Sequence, residues 1–233
     1  MLDVLLPQRC LVCGTGGAQL CAGCRAALQP LPPPLCERCG APTAWPVRRC
    51  LECSGRRLAF AGARAAVAYD DTVRRLVAGW KERGLRRLAE QAAELVAERL
   101  PRPPDGTALT FVPADGRRRL ERGHHPAERL ARALAARWEL RCEPLLARDG
   151  TSERQRGLSL AARRRNVAGA FQAVSAVRGS VLLVDDVYTS GATVAAAASV
   201  LRAAGARRVD VVTFARVIRT PAVGLQQARQ RPI

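Results

Sequence analysis

Apolar positions fall into two regimes along the chain. Over residues 1–57 they follow neither a 3.6-residue nor a two-residue period, and cysteine, proline and glycine interrupt the segment every few positions. Such a stretch cannot build an apolar core and needs metal staples to fold. Around Ser54–Phe60 the cysteines stop and α/β patterning begins. Ala65–Tyr69 predicts a strand, and Thr72–Trp80 and Leu85–Leu100 predict helices, the second with Leu85, Leu88, Ala92, Leu95 and Val96 on one face. After the break at Pro101–Gly106, Ala108–Pro113 reads as a buried strand. Residues 126–138 read as a helix with Pro126 in its first turn. Residues 149–166 are polar and arginine-rich, a loop with a helical end.

The clearest unit follows. Ser180–Val184 is a continuous apolar run of strand length, as in a parallel sheet. Thr193–Ala204 is an alanine-rich helix and Val209–Ala215 a second strand, so the three make a βαβ unit. The expected division is a metal-stapled head over 1–57, an α/β domain over 58–220 and a Gln- and Arg-rich tail over 221–233.

Composition adds a partner class. With 48% apolar residues the chain is not globally disordered, and its formal charge of +18 suits phosphate-rich polyanions. Lys81 is the single lysine, so drift toward arginine-rich codons offers a competing source for part of that charge. No apolar run reaches the ~20 residues that span a bilayer, and Pro7 breaks the opening stretch too early for a signal peptide. The expected location is the cytoplasm.

Eight of the nine cysteines form four Cys-x-x-Cys pairs: Cys10/Cys13, Cys21/Cys24, Cys36/Cys39 and Cys50/Cys53. Two intervening residues let both sulfurs of a pair meet one ion from a tight turn, and four thiolates complete a tetrahedron around zinc. The simplest assignment is sequential, two pairs to each of two structural zinc ions; spacing alone leaves an interleaved arrangement open. Cys142 stands apart and reads as a small buried hydrophobe. His124 and His125 are not needed as ligands.

The segment Val181–Thr193, reading VLLVDDVYTSGAT, carries the most specific chemistry. A strand ends in two acids, and small hydroxylated residues then open a helix, which makes an anion site at a helix N-terminus. Backbone N–H groups from about Thr189 to Thr193, spanning Ser190, Gly191 and Ala192, can wrap one phosphate. Asp185 and Asp186 stand where carboxylates can accept hydrogen bonds from vicinal sugar hydroxyls. Arg117, Arg118, Arg119 and Arg122 form one further cationic cluster and Arg163, Arg164 and Arg165 another. Their guanidinium forks suit pyrophosphate or nucleic-acid phosphate. A solvated charged face is the alternative for each. Aromatics are only 4% of the chain, leaving Tyr69, Trp80 and Tyr188 as candidates for stacking a base.

The 181–193 string resembles the phosphoribosyl-pyrophosphate loop of type I phosphoribosyltransferases. Phe111–Ala114, Arg117–Gly123, Thr151–Ser159, Arg163–Phe171 and the upstream Tyr69, Lys81 and Gly84 extend the likeness. With the zinc head, the chain resembles the ComF/GntX competence family over roughly residues 5–217. The departure is His124-His125-Pro126 where that family usually has Phe-Asn-Gln. The resemblance implies an α/β fold with a phosphoribosyltransferase-like parallel sheet flanked by helices behind a double zinc ribbon. It implies a 5′-phosphate in the 189–193 loop, a ribose on Asp185 and Asp186, and Mg²⁺ carried with phosphoribosyl pyrophosphate. As partners it implies single-stranded DNA and a DNA-uptake ATPase. Two other functions compete: an active phosphoribosyltransferase, for which no general base is apparent, and a regulator whose nucleic-acid binding responds to a phosphoribosyl ligand.

Overall fold

The computed structural model describes residues 8–82, 84–85, 87–114, 124–148 and 170–219. Among these residues the elements run, in order, α1 (Ala22–Ala26), β1 (Ala63–Ala68), α2 (Asp71–Glu82), α3 (Leu88–Arg99), β2 (Ala108–Phe111), α4 (Pro126–Trp138), β3 (Leu146–Arg148), β4 (Phe171–Ala173), β5 (Ser180–Tyr188), α5 (Ala192–Ala203) and β6 (Arg208–Arg216). β1, β6, β5 and β2 form one parallel sheet in that order, and β3 and β4 pair antiparallel beside it.

Local chemistry explains the elements. In α2, Val73, Leu76, Val77 and Trp80 recur at helical spacing and are buried, and the Asp70 carboxylate caps the first turn by accepting from the Val73 N–H at 2.8 Å. His125 caps α4: its ring accepts from the Glu128 N–H, while Pro126 takes the first helical position. Buried His124 lies 2.7 Å from the Trp80 carbonyl. The His-His-Pro sequence therefore seats α4 against α2.

Two apolar layers enclose the sheet. On one face α2, α3 and α4 pack over Leu109, Phe111, Leu182, Val184, Val212 and Phe214, joined by Leu20 and Leu28 of the first cysteine unit. On the other, α5 covers Val181, Leu183, Val209 and Val211, together with Cys36, Cys39, Cys53, Leu58 and Phe60 of the second. The cysteine units are thus clamped to the body rather than tethered. Arg99 donates to the Leu28 carbonyl at 2.8 Å, and Ala63 N–H donates to the Arg38 carbonyl at 3.0 Å. Gly40 marks the tightest approach: its φ is +71°, and a Cβ there would stand 2.4 Å from the Ala63 carbonyl oxygen.

Two sequence expectations need correction. The strand expected to stop at Val184 runs on to Tyr188, because β6 offers partners as far as the Tyr188↔Arg216 pair. Asp185 and Asp186 therefore sit within the strand rather than at its end. The helix expected from Leu85 starts at Leu88, after the turn around Gly84. The short β3/β4 pair has too few residues to display a period. The arginine-rich 149–166 segment and the 221–233 tail lie outside the described residues.

Candidate functional site

The four cysteine pairs converge sequentially. Cys10, Cys13, Cys21 and Cys24 form one group and Cys36, Cys39, Cys50 and Cys53 another, with all sulfurs of a group within 4.8 Å of one another. Four sulfurs held ~2.3 Å from a tetrahedral ion lie about 3.8 Å apart. The observed Sγ–Sγ distances are 3.6 Å for Cys13–Cys21, 3.7 Å for Cys36–Cys53, 3.5 Å for Cys39–Cys50 and 3.9 Å for Cys50–Cys53. The donor set fits zinc in both units. Burial alone would push the Cys10 thiol up, but N–H groups of Cys21, Cys13 and Val12 aimed at its sulfur bring it to about 6. Cys36 is brought to about 7 against its burial by N–H groups of Cys39, Cys50 and Arg38. Such sulfurs are ready-made thiolate ligands. Four protein ligands leave no open coordination position, so the sites are structural.

The turn over 189–191 lies at the carboxyl edge of the sheet. β2 makes its last pair with β5 at Phe111↔Val184, while β5 continues to Tyr188 against β6. The helix after β2 covers one face and the helix after β5 the other, so the chain leaves these two adjacent strand ends in opposite directions. In open α/β sheets that switch point is where ligands sit. Asp185 and Asp186 follow the last β2–β5 pair on β5. The turn Thr189–Ser190–Gly191 then leads directly into α5, with Gly191 as the cap residue at φ +71°. A Cβ on Gly191 would stand 2.1 Å from the Tyr188 hydroxyl, so only glycine lets the turn fold back on that ring. Ser190 Oγ accepts from the Ala192 N–H at 3.3 Å. Among the described residues, the N–H groups of Thr193 and Val194 have no acceptor. They point out of the positive end of a twelve-residue helix.

The two acids differ. Asp186 is buried and paired with Lys81 of α2 at 2.8 Å. Asp185 is half-buried, and its Oδ1 accepts from the Asp186 N–H at 2.9 Å. Burial, reinforced by the adjacent Asp186 charge, lifts the Asp185 carboxyl to about 7 despite opposing help from Lys81 and Arg148. The sign follows from proton binding. Between pH 4 and 7 the folded chain holds a proton that the unfolded chain has lost, so stability from this group falls as pH rises through that window. Asp185→Asn is therefore expected to be more stable than the parent at pH 8, by on the order of 2 kcal/mol, and nearly equal at pH 4.5. Urea unfolding of both proteins at the two pH values, with zinc held constant, checks this; equal pH dependence would contradict it.

Beneath the loop, Arg216 ends β6 and is only 1% exposed. Its guanidinium lies 4.3 Å from the Tyr188 ring centroid, donates to the Cys39 carbonyl at 2.7 Å and pairs with Glu52 at 2.8 Å. The second metal unit and the floor of the loop therefore share one buried cation. Lys81 appears in the sequence only as part of a family likeness, and nothing in the sequence marks Arg216, because both act across the fold. The residues named for stacking are displaced: Trp80 and Tyr188 are 1% and 3% exposed and serve the core. Trp45 on the second cysteine unit is 69% exposed instead. A single tryptophan between Ala44 and Pro46 carries no periodic signal. Cys142 is half-buried and packs against the core, and burial raises its thiol. Arg117, Arg118, Arg119, Arg122, Arg163, Arg164 and Arg165 lie outside the described residues. Among the described residues, no helix is long and apolar enough to cross a membrane.

Comparison with known proteins agrees with this layout. Residues 1–56 match the double zinc ribbon domain. The chain is 29% identical over 195 residues to the DNA utilization protein YhgH of Salmonella typhimurium, covering 79% of this chain and 85% of that protein. The Escherichia coli O157:H7 protein of the same name is 35% identical over 114 residues, covering 47% of this chain and 49% of that protein.

Proposed function

We propose that this chain is a ComF-like DNA utilization protein that binds single-stranded DNA and carries a phosphoribosyl-pyrophosphate-type site at residues 185–193. The observation that carries the second part is the pair of unsatisfied N–H groups, Thr193 and Val194, opening α5 beside two carboxylates at the sheet's switch point. Asp185 and Asp186 receive the ribose hydroxyls, and Thr189, Ser190, Gly191, Ala192 and Thr193 enclose the 5′-phosphate. Lys81 holds Asp186 in place and adds a positive charge for the pyrophosphate, whose Mg²⁺ arrives with the ligand. The zinc ribbons stiffen the frame and do no chemistry. Support for the nucleic-acid part comes from the net charge of +18 and from the likeness to proteins named for DNA utilization.

Anisotropy of a labelled oligonucleotide tests the DNA part. Log affinity is expected to fall linearly with log salt, by about 0.7 per phosphate neutralised. No binding at 50 mM salt would refute it.

A further inference from the structure

Resting on the single-strand reading above, we infer that the strand lies in a groove between the second zinc ribbon and α5, with Trp45 as its base-stacking platform. Two clefts of about 500 Å³ and 480 Å³ meet at Ala59. The first reaches Ala192, the opening residue of α5 beside the phosphate loop; the second ends at Arg202, in the last turn of that helix. The groove thus follows α5 along its length of about 18 Å, at 1.5 Å per residue.

Six arginines line it: Arg56 and Arg57 in the upper cleft, and Arg38, Arg202, Arg207 and Arg208 in the lower. The helix side is Ala192, Ala195, Ala196 and Ser199, side chains small enough for a sugar–phosphate backbone to lie close. Among the described residues no acidic residue lines either cleft; Arg208 in the lower one pairs with Asp210 at 2.6 Å. Arg38 and Arg202 are occupied with backbone carbonyls. The guanidinium groups of Arg57 and Arg207 are exposed and, among the described residues, make no ion pair or hydrogen bond. A row of cations of which only Arg208 is ion-paired, along a concave path, suits a chain of phosphates.

The choice of a single strand over a duplex comes from Trp45. It stands 69% exposed on the second ribbon, near Arg48 and Arg49 in the chain, and Arg49 donates to the Arg56 carbonyl at 3.1 Å. That contact ties the ribbon segment following Trp45 to the upper cleft. Only unpaired bases offer free faces to an indole, and duplex bases are stacked on one another.

The test uses full-length, zinc-loaded protein and a labelled single-stranded oligonucleotide across a salt series. Arg57→Ala with Arg207→Ala is expected to weaken binding at least tenfold at 0.1 M salt and to reduce the salt slope by about 1.4, two phosphates' worth. Trp45→Ala is expected to weaken binding at least fivefold with the slope unchanged. Arg75→Ala with Arg141→Ala, the same charge change on other surfaces, is expected to do little. If the parent binds but the groove variant matches it in affinity and slope, the groove is wrong while single-strand binding stands. A parent that fails to bind at all removes both readings. A duplex of the same length bound as tightly, with Trp45→Ala silent, overturns the choice of partner.

Discussion

Cys39→Ser is expected to remove one zinc ion per chain and most of the fold's stability, while Cys13→Ser removes the other ion and leaves the α/β body folded. The asymmetry comes from what each sulfur touches. Cys36, Cys39 and Cys53 are 0–2% exposed and belong to the apolar layer that closes one face of the sheet. Cys13 is exposed, and among the described residues its unit lends the apolar core only Leu20, Leu28 and a few partly buried neighbours. Loss of the second ion also disturbs Arg216, which relies on the Cys39 carbonyl and Glu52 to balance a buried charge. A buried cation stripped of partners costs about 3–5 kcal/mol, and the binding energy of a structural zinc is itself folding energy. Together these reach the ~5–15 kcal/mol that holds a domain folded. Zinc content by atomic absorption, with thermal unfolding of both variants, gives the comparison. Equal damage from the two substitutions would show that the second unit is no more integral than the first. Because Arg216 lies against Tyr188, and Tyr188 fills the space under Gly191, partial loss of the second ion should also loosen the phosphate loop.

The second large effect concerns the acids. Asp185→Asn with Asp186→Asn is expected to weaken phosphoribosyl pyrophosphate binding by at least a hundredfold, with two zinc ions retained. Each carboxylate is assigned a charge-assisted hydrogen bond to a ribose hydroxyl, about 1.5–3 kcal/mol apiece, and asparagine keeps the shape but loses the charge. Lys81 makes asparagine preferable to alanine, because alanine would leave its half-buried ammonium facing a void. Calorimetric titration with Mg²⁺ present reads the change. Parent-like affinity in the double variant would remove both acids from the sugar site.

Much of this was legible in the chain because the signals are local. The cysteine spacing fixes which sulfurs can share an ion within a pair. The VLLVDDVYTSGAT string places strand, acids, turn and helix in order, and the structure keeps that order, only lengthening the strand by four residues. The helix over 126–138 appears with those bounds because Pro126 and the apolar stripe Leu130, Leu134 and Trp138 both lie within it. What escaped was long-range. Lys81 and Asp186 are 105 positions apart, and Arg216 and Cys39 are 177 apart, so neither pair leaves a mark in any window of sequence. The sequential pairing of the cysteine units also needed the fold, since spacing permits both arrangements. The groove arginines could not be told from others in a chain so rich in them, and Trp45 is distinguished only by its exposure.

Receipt of a phosphate by the amides that open α5 is the central event in the proposed function. Amide chemical-shift mapping of ¹⁵N-labelled, zinc-loaded protein tests this directly. Adding phosphoribosyl pyrophosphate with Mg²⁺ should shift the Ser190, Gly191, Ala192, Thr193 and Val194 signals most strongly, with smaller changes at Asp185 and Asp186. Saturating ligand that leaves those five amides where they were, or moves only signals elsewhere, would contradict the assignment.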